Sequence, residues 1–216
     1  MANSQFITFE GGEGAGKSTQ VALLSRRLEA IGEKVVLTRE PGGSERAEKI
    51  RHILMDNSLP DSSPLTEALL FYAARADHLK TLILPALEQG AWVLCDRFSD
   101  STRAYQGAAG GLDPTIIENL ESMVVGNCKP GMTLILDIPA DIGLARAQAR
   151  QADQTPHTRD RFESKSLTFH KKLREGFLYL ATEEPQRFEV IDATKTPEDI
   201  ESEIWAHVKS RWNLRE

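Results

Sequence analysis

The chain has 216 residues, against roughly 150 for an average domain, which predicts one compact domain with room for a small appended lobe. With 40% hydrophobic and 27% charged residues it is neither disordered, nor collagenous, nor a disulfide scaffold. The 26 Lys and Arg residues against 32 Asp and Glu give a net charge of -6, which speaks against a nonspecific grip on nucleic acid through counterion release.

Short apolar runs alternate with helical patterns, the order expected of an α/β fold with a parallel sheet covered by helices. Predicted strands lie at residues 5–10, 34–38, 92–96, 133–137 and 187–191. Between the first two, Val21, Leu24, Leu28 and Ile31 recur at helical spacing and form one apolar stripe that ends at Gly32, so this stretch reads as a right-handed βαβ unit. Ser44 and Glu45 open a second helix that runs to about Met55, and a polar loop through Pro60 and Pro64 follows. Residues 65–89 read as a long helix, kinked or divided near Pro85, with enough apolar surface to be buried on two sides. Asp113 with Pro114, and Thr196 with Pro197, each supply an N-cap and a first helical position. The last helix places Ile200, Ile204, Val208 and Trp212 on one stripe.

The segment from Arg146 to Arg161 stands apart, being poor in apolar residues and holding Arg146, Arg150, Arg159 and Arg161. Long polar segments inside a compact domain are usually functional or mobile. Cys95 and Cys128 show no metal-binding spacing and read as reduced thiols of a cytoplasmic protein. The N-terminus has no basic, apolar leader pattern, and no run approaches the roughly 18 apolar residues of a membrane span.

Gly11-Gly12-Glu13-Gly14-Ala15-Gly16-Lys17-Ser18 fits G-x-x-x-x-G-K-[ST], directly after a predicted strand and opening a predicted helix. Small residues let successive backbone N–H groups curl around phosphate oxygens at a helix N-terminus, where the dipole also favours an anion. Lys17 is expected to span the β- and γ-phosphates of ATP, and Ser18 to ligate Mg²⁺. The N-K-x-D and D-x-x-G motifs of guanine-specific switches are absent from the chain.

Asp96 closes the apolar run Trp92-Val93-Leu94-Cys95, at the carboxyl end of a strand where ligands of open α/β sheets collect. That position suits a metal-binding carboxylate acting through bound water. Arg97 follows at once, and Arg39 closes the second strand, so two cations are expected at the sheet edge that bears the phosphate loop.

Phe9-Glu10-Gly11 through Ser18-Thr19, Arg39-Glu40-Pro41-Gly42-Gly43, Phe71-Tyr72-Ala73-Ala74-Arg75, Asp96-Arg97-Phe98 and Ala104-Tyr105-Gln106-Gly107 together resemble the bacterial thymidylate kinases, in order and spacing, over essentially the whole chain. The resemblance implies a three-layer P-loop NTPase fold, with a five-stranded parallel sheet flanked by helices. It implies one kinase domain over 1–216 with a mobile lid at about 146–163, acting as a homodimer. The implied reaction is transfer of the ATP γ-phosphoryl group to dTMP, giving dTDP and ADP on the way to dTTP.

By the same resemblance, Arg39 and Arg97 hold the acceptor phosphate, Phe71 stacks on thymine and Arg75 donates to its O4 edge. Glu13 accepts from the ribose 3′-hydroxyl, Tyr105 crowds the 2′ position, and Thr102 and Gln106 line the base pocket, while Tyr72 reads as core. Arg146 stacks near adenine, and one of Arg150, Arg159 and Arg161 reaches the phosphates as the catalytic cation, because the loop Gly12 to Ala15 carries none. Asp160 and Glu163 either position metal or an arginine, or form solvated ion pairs. The loop Asp192-Ala193-Thr194 meets adenine through its backbone, and Arg103 has no assigned role. The rival readings are another nucleotide or small-acid kinase, which shares Lys17 and Asp96 but would not need the pair Phe71 and Arg75, and a nucleotide-binding regulator without transfer activity.

Overall fold

The computed structural model describes residues 4–152 and 162–214. Five parallel strands, β1 (Phe6–Glu10), β2 (Val35–Arg39), β3 (Trp92–Asp96), β4 (Met132–Asp137) and β5 (Phe188–Asp192), form one sheet in the order β2-β3-β1-β4-β5. All five fall within one residue of the predicted runs; β1, β3 and β4, buried on both faces, read as near-continuous apolar segments, and the edge strands β2 and β5 as short apolar runs. Strands β1 and β2, joined by α1, form the expected βαβ unit as parallel strands of one sheet, with β3 inserted between them. Nothing local in the sequence marks that insertion.

Helix α1 (Lys17–Ala30) and the last helix, α9 (Pro197–Trp212), cover one face of the sheet. Leu24 and Leu28 of α1 meet Ile7, Phe9 and Leu94 there, together with Ile200, Ile204 and Val208 of α9. Full burial of each of these leucines is worth about 2 kcal/mol. The opposite face carries α3 (Pro64–His78), α6 (Pro114–Val124) and α8 (Leu167–Glu183), with Phe6, Val93 and Ile135 among the strand residues they cover. The expected three layers are therefore present.

The long helix is interrupted one turn before Pro85, where α3 passes through a π turn (Leu79–Ile83) into α4 (Leu84–Glu88). Proline offers no N–H to the preceding turn, and its ring crowds the carbonyl four residues back, which a widened turn relieves. Among the described residues the helix is buried on one side only, because no further layer of them covers the other: Leu65 and Leu69 are 40% and 50% exposed. A second π turn (Arg103–Ala109) continues the short α5 (Ser99–Thr102), and it carries Tyr105 and Gln106. Helix α2 (Glu45–Leu54) begins at Ser44 as expected, and α7 (Ala140–Ala152) takes in Arg146 and Arg150.

Candidate active site

Phe9 of β1 pairs with Asp96 of β3, so the loops leaving these two central strands open on the same crevice. The chain leaves β1 toward one side of the sheet and β3 toward the other, and such a switch point is where open parallel sheets bind ligands.

The phosphate loop is shaped for an anion. Helices α2, α3, α6, α8 and α9 have their first amides capped by the side chains of Ser44, Ser63, Asp113, Ser166 and Thr196. Helix α1 starts at Gly16, in the left-handed region at φ 89°, with no side-chain cap, which leaves its N-terminal donors for a phosphate. At Gly14 a β-carbon would lie 2.0 Å from the Gly143 carbonyl oxygen, so the loop rests directly on α7. Lys17 Nζ donates to the carbonyls of Gly12 at 2.8 Å and Gly11 at 3.2 Å, inside the cradle. Burial and the nearby Arg97 lower its pKa, against the pull of Glu13 and Asp96.

Ser18 Oγ donates to Asp96 Oδ2 at 2.7 Å. This pair of hard oxygen ligands at the mouth of the cradle fits Mg²⁺, which takes few protein ligands and fills its shell with water and phosphate. No group of three or more His, Cys, Asp or Glu side chains suited to a metal occurs among the described residues, so most ligands would come from nucleotide and water.

A cavity of about 360 Å³ runs from the phosphate loop across the ends of β2 and β3. Arg39, Arg51 and Arg97 line its phosphate end. Arg39 is held by Glu48 at 3.2 Å and by the Pro41 carbonyl at 3.0 Å, and Arg51 donates to the same carbonyl at 2.9 Å. Arg97 lies in the left-handed region at φ 71° and sends Nη1 to the Gly11 carbonyl and Nη2 to Glu13 Oε1, at 3.0 and 2.9 Å. The Tyr105 hydroxyl donates to the same Glu13 oxygen. Burial works to raise the pKa of Glu13, but Arg97, Lys17 and the Tyr105 hydrogen bond outweigh it and bring it down to about 2. Glu13 is thus a fixed anion between the nucleotide loop and the acceptor cavity.

The far end of the cavity is apolar, with Phe71 and Phe162 facing each other at 6.2 Å and Tyr105 edge-on to Phe162 at 5.4 Å. Arg75 forms part of this wall and is only 1% exposed. Its Nε donates to Glu40 Oε2 at 2.8 Å and its Nη2 to Thr102 Oγ1 at 3.3 Å, and its guanidinium lies over Tyr72 at 4.6 Å and Phe98 at 5.2 Å. Nη1 has no partner. A buried guanidinium donor left unpaired carries its full desolvation cost, which a ligand acceptor would remove. Gln106 lines the same end and donates to Glu67 at 2.9 Å, and Tyr72 is core, as expected.

The structure therefore brings together the phosphate loop from Gly11 to Thr19 with Arg39, Phe71, Arg75, Asp96, Arg97, Thr102, Tyr105 and Gln106. Arg146 stands apart from that cavity, on α7, and donates to the Ala193 carbonyl at 2.9 Å, beside the loop expected to meet adenine. Arg150 is on α7 with its side chain outside the described residues, and Arg159, Asp160 and Arg161 lie outside them altogether; Glu163 lines the cavity. Arg103 binds Asp100 and Glu184 at 3.2 and 2.6 Å, a structural tie between α5 and α8. Sequence reasoning missed Arg51 and Phe162. The signal for Arg51 was a cation in the stripe Ala47, Arg51, Leu54, and for Phe162 a lone aromatic closing a polar segment.

A 2-3-1-4-5 parallel sheet, an uncapped phosphate loop and an arginine-lined acceptor cavity beside it define a P-loop kinase acting on a phosphorylated small molecule. The thymidylate kinase family profile matches residues 9–204. The thymidylate kinase of Bradyrhizobium sp. (strain ORS 278) is 51% identical over 207 residues, which is 96% of this chain and 90% of the relative. That of Rhodopseudomonas palustris (strain TIE-1) is 52% identical over 209 residues, 96% and 89% of the two chains. The crystal structure of thymidylate kinase from Ehrlichia chaffeensis superposes with a TM-score of 0.75 at 34% identity, covering 94% of this chain and 97% of that one. The chain belongs to the thymidylate kinase family.

Proposed function

We propose that this chain, which phosphorylates dTMP to dTDP with ATP as its family does, seats thymine against Phe71 with the O4 edge toward Arg75 Nη1. The unpartnered Nη1, in a wall that is otherwise aromatic or satisfied, carries this reading. Stacking plus a planar donor suits a neutral base whose edge presents an acceptor. Glu13 and Tyr105, already joined, lie between the base end and the phosphate loop, where a ribose would pass.

The acceptor is a phosphate monoester that is largely dianionic at pH 7, with its second pKa near 6 by analogy with phosphorylated side chains. No strong general base is needed. The barrier lies in bringing the dianion to the triphosphate, so Arg39, Arg51 and Arg97 neutralise and orient the acceptor while Lys17 and the α1 amides hold the donor. Ser18 and Asp96 would hold Mg²⁺, which supplies further charge neutralisation to the triphosphate when bound. The arginines of the lid segment, Arg150, Arg159 and Arg161, are proposed from the sequence as the source of the remaining cation at the transferring group.

We assign the protein to the cytoplasm, supported by two free thiols, Cys95 and Cys128, and note that no helix among the described residues is long and apolar enough to cross a membrane. Exposed Ile53 on α2 with Leu65 and Leu69 on α3, two helices that pack together, supports a homodimer. The reading is tested by ADP release with dTMP, dUMP, dCMP, dAMP and dGMP as acceptors. dTMP should be turned over with a kcat/KM at least about a hundredfold above that for dCMP and the purine monophosphates, because those place a donor or excess bulk at the O4 position. Equal use of dCMP would contradict the Arg75 assignment.

A further inference from the structure

Glu10, the last residue of β1, is fully buried and belongs neither to the cradle nor to the cavity wall. Its Oε1 accepts from the Phe98 amide at 2.7 Å and the Ser101 amide at 3.3 Å, and its Oε2 accepts from Ser101 Oγ at 2.6 Å. Ser101 Oγ in turn accepts from Arg97 Nη1 at 3.3 Å. The hydrogen bonds therefore run one way, from Arg97 through Ser101 to the accepting Glu10 carboxylate.

Arg97 itself sits at φ 71°, a conformation that residues with a β-carbon avoid, so the turn after β3 needs an external hold. Glu10 provides it from the neighbouring strand, gripping the amide of the very next residue, Phe98. The carboxylate is costly where it stands. Burial and the Asp100 carboxylate push its pKa up to about 7 against the pull of Ser101, Arg97 and the Phe98 amide. Lys17 and the buried Cys95 also sense its field. An apolar side chain would fill β1 more cheaply but would leave the Phe98 amide and the Ser101 hydroxyl without an acceptor, while the Ser101 amide would keep only the Phe98 carbonyl.

We propose that Glu10 is a positioning residue for the acceptor site, holding the turn from Arg97 to Ser101 so that the Arg97 guanidinium is delivered to the edge of the phosphate loop. The inference rests on the reading of Arg97 as a ligand of the dTMP phosphate. Glu10 acts through Arg97 and Ser101 and touches no substrate.

Calorimetric titration of the full chain with dTMP, and separately with ATP, tests it. Glu10→Gln keeps the amide acceptor but turns a donor toward Ser101 Oγ, so dTMP should bind about tenfold more weakly, the scale of a disrupted charged hydrogen-bond link, while ATP affinity stays within about twofold. Arg97→Ala should weaken dTMP at least as much, and the double variant Glu10→Gln/Arg97→Ala should match Arg97→Ala within about twofold, because the coupled path is already cut. Ser101→Ala, a milder change that cuts the side-chain link at a residue on the cavity wall, should weaken dTMP by about threefold, and its effect should vanish in the Arg97→Ala background; this decides the matter if Glu10→Gln does not fold. Additive effects in the double variant, equal losses for ATP and dTMP, or unchanged dTMP binding in Glu10→Gln or Ser101→Ala overturn the role of Glu10 alone. Unchanged dTMP binding in Arg97→Ala overturns the reading of Arg97, and the inference with it.

Discussion

Ser18 in the first turn of α1 and Asp96 at the end of β3 are 78 residues apart in sequence and are joined by a 2.7 Å hydrogen bond. The bond ties the phosphate loop to the strand whose next residue, Arg97, lines the cavity. Asp96 thus bonds the phosphate loop on one side and leads into the Arg97 turn on the other. Asp96→Asn keeps the size and an acceptor for Ser18 but removes the charge that suits a cation. Turnover should fall by at least about a hundredfold, as when an electrostatic stabiliser is lost, and the Mg²⁺ concentration for half-maximal rate should rise. A Mg²⁺ titration of initial rates reads both effects.

Lys17→Met removes the ammonium from the cradle while leaving the uncapped α1 amides. Turnover should drop by about a hundredfold or more, with ATP binding weakened but measurable by calorimetry. Normal turnover in the folded variant would remove the loop from the reaction.

Glu13 has a pKa of about 2 in the fold, below the ordinary carboxylate value of 4.5. Its folded state therefore binds fewer protons than the unfolded chain at intermediate pH. The stability it contributes is present above pH 4.5 and is lost as pH falls toward 2, by on the order of 3 kcal/mol. Denaturant melts of wild type and Glu13→Gln, taken at several pH values across that window, should show wild type losing stability more steeply. Parallel slopes would mean that Glu13 is not the clamped anion the geometry shows.

Arg51→Ala opens the phosphate end of the acceptor cavity without touching the base wall or the cradle. The Michaelis constant for dTMP should rise by about tenfold or more, the scale of one lost charge-assisted contact, while that for ATP stays within about twofold. Steady-state kinetics with each substrate varied in turn separates the two.

The strands, the helix starts at Ser44, Asp113 and Thr196, and the phosphate loop were legible because their signals are local: apolar runs, capping residues and glycine spacing. The insertion of β3 between β1 and β2 was not, since pairing order depends on contacts between distant segments. The π turn that places Tyr105 and Gln106 was hidden for a related reason: a widened turn breaks the helical period by which a helix is recognised. Arg51 shows the limit of reading charge as surface, because its cationic end leaves the buried stripe of α2 only to enter the cavity. Glu10 was legible as part of a motif, but its three hydrogen bonds to the Arg97 turn depend on the β1–β3 pairing.

Selection of thymine falls to Arg75, whose Nη1 is unpartnered among the described residues. Arg75→Ala would leave Glu40 buried beside His78 without its arginine, a loss of about 3–5 kcal/mol, so the informative change is Arg75→Lys, which keeps a cation for Glu40 but loses the planar fork. The measurement is the ratio of kcat/KM for dTMP to that for dCMP, both at limiting acceptor and saturating ATP. This ratio should fall by at least about tenfold in Arg75→Lys, the loss of a base-specific hydrogen bond. An unchanged ratio in a folded, active Arg75→Lys enzyme would contradict this role of Arg75.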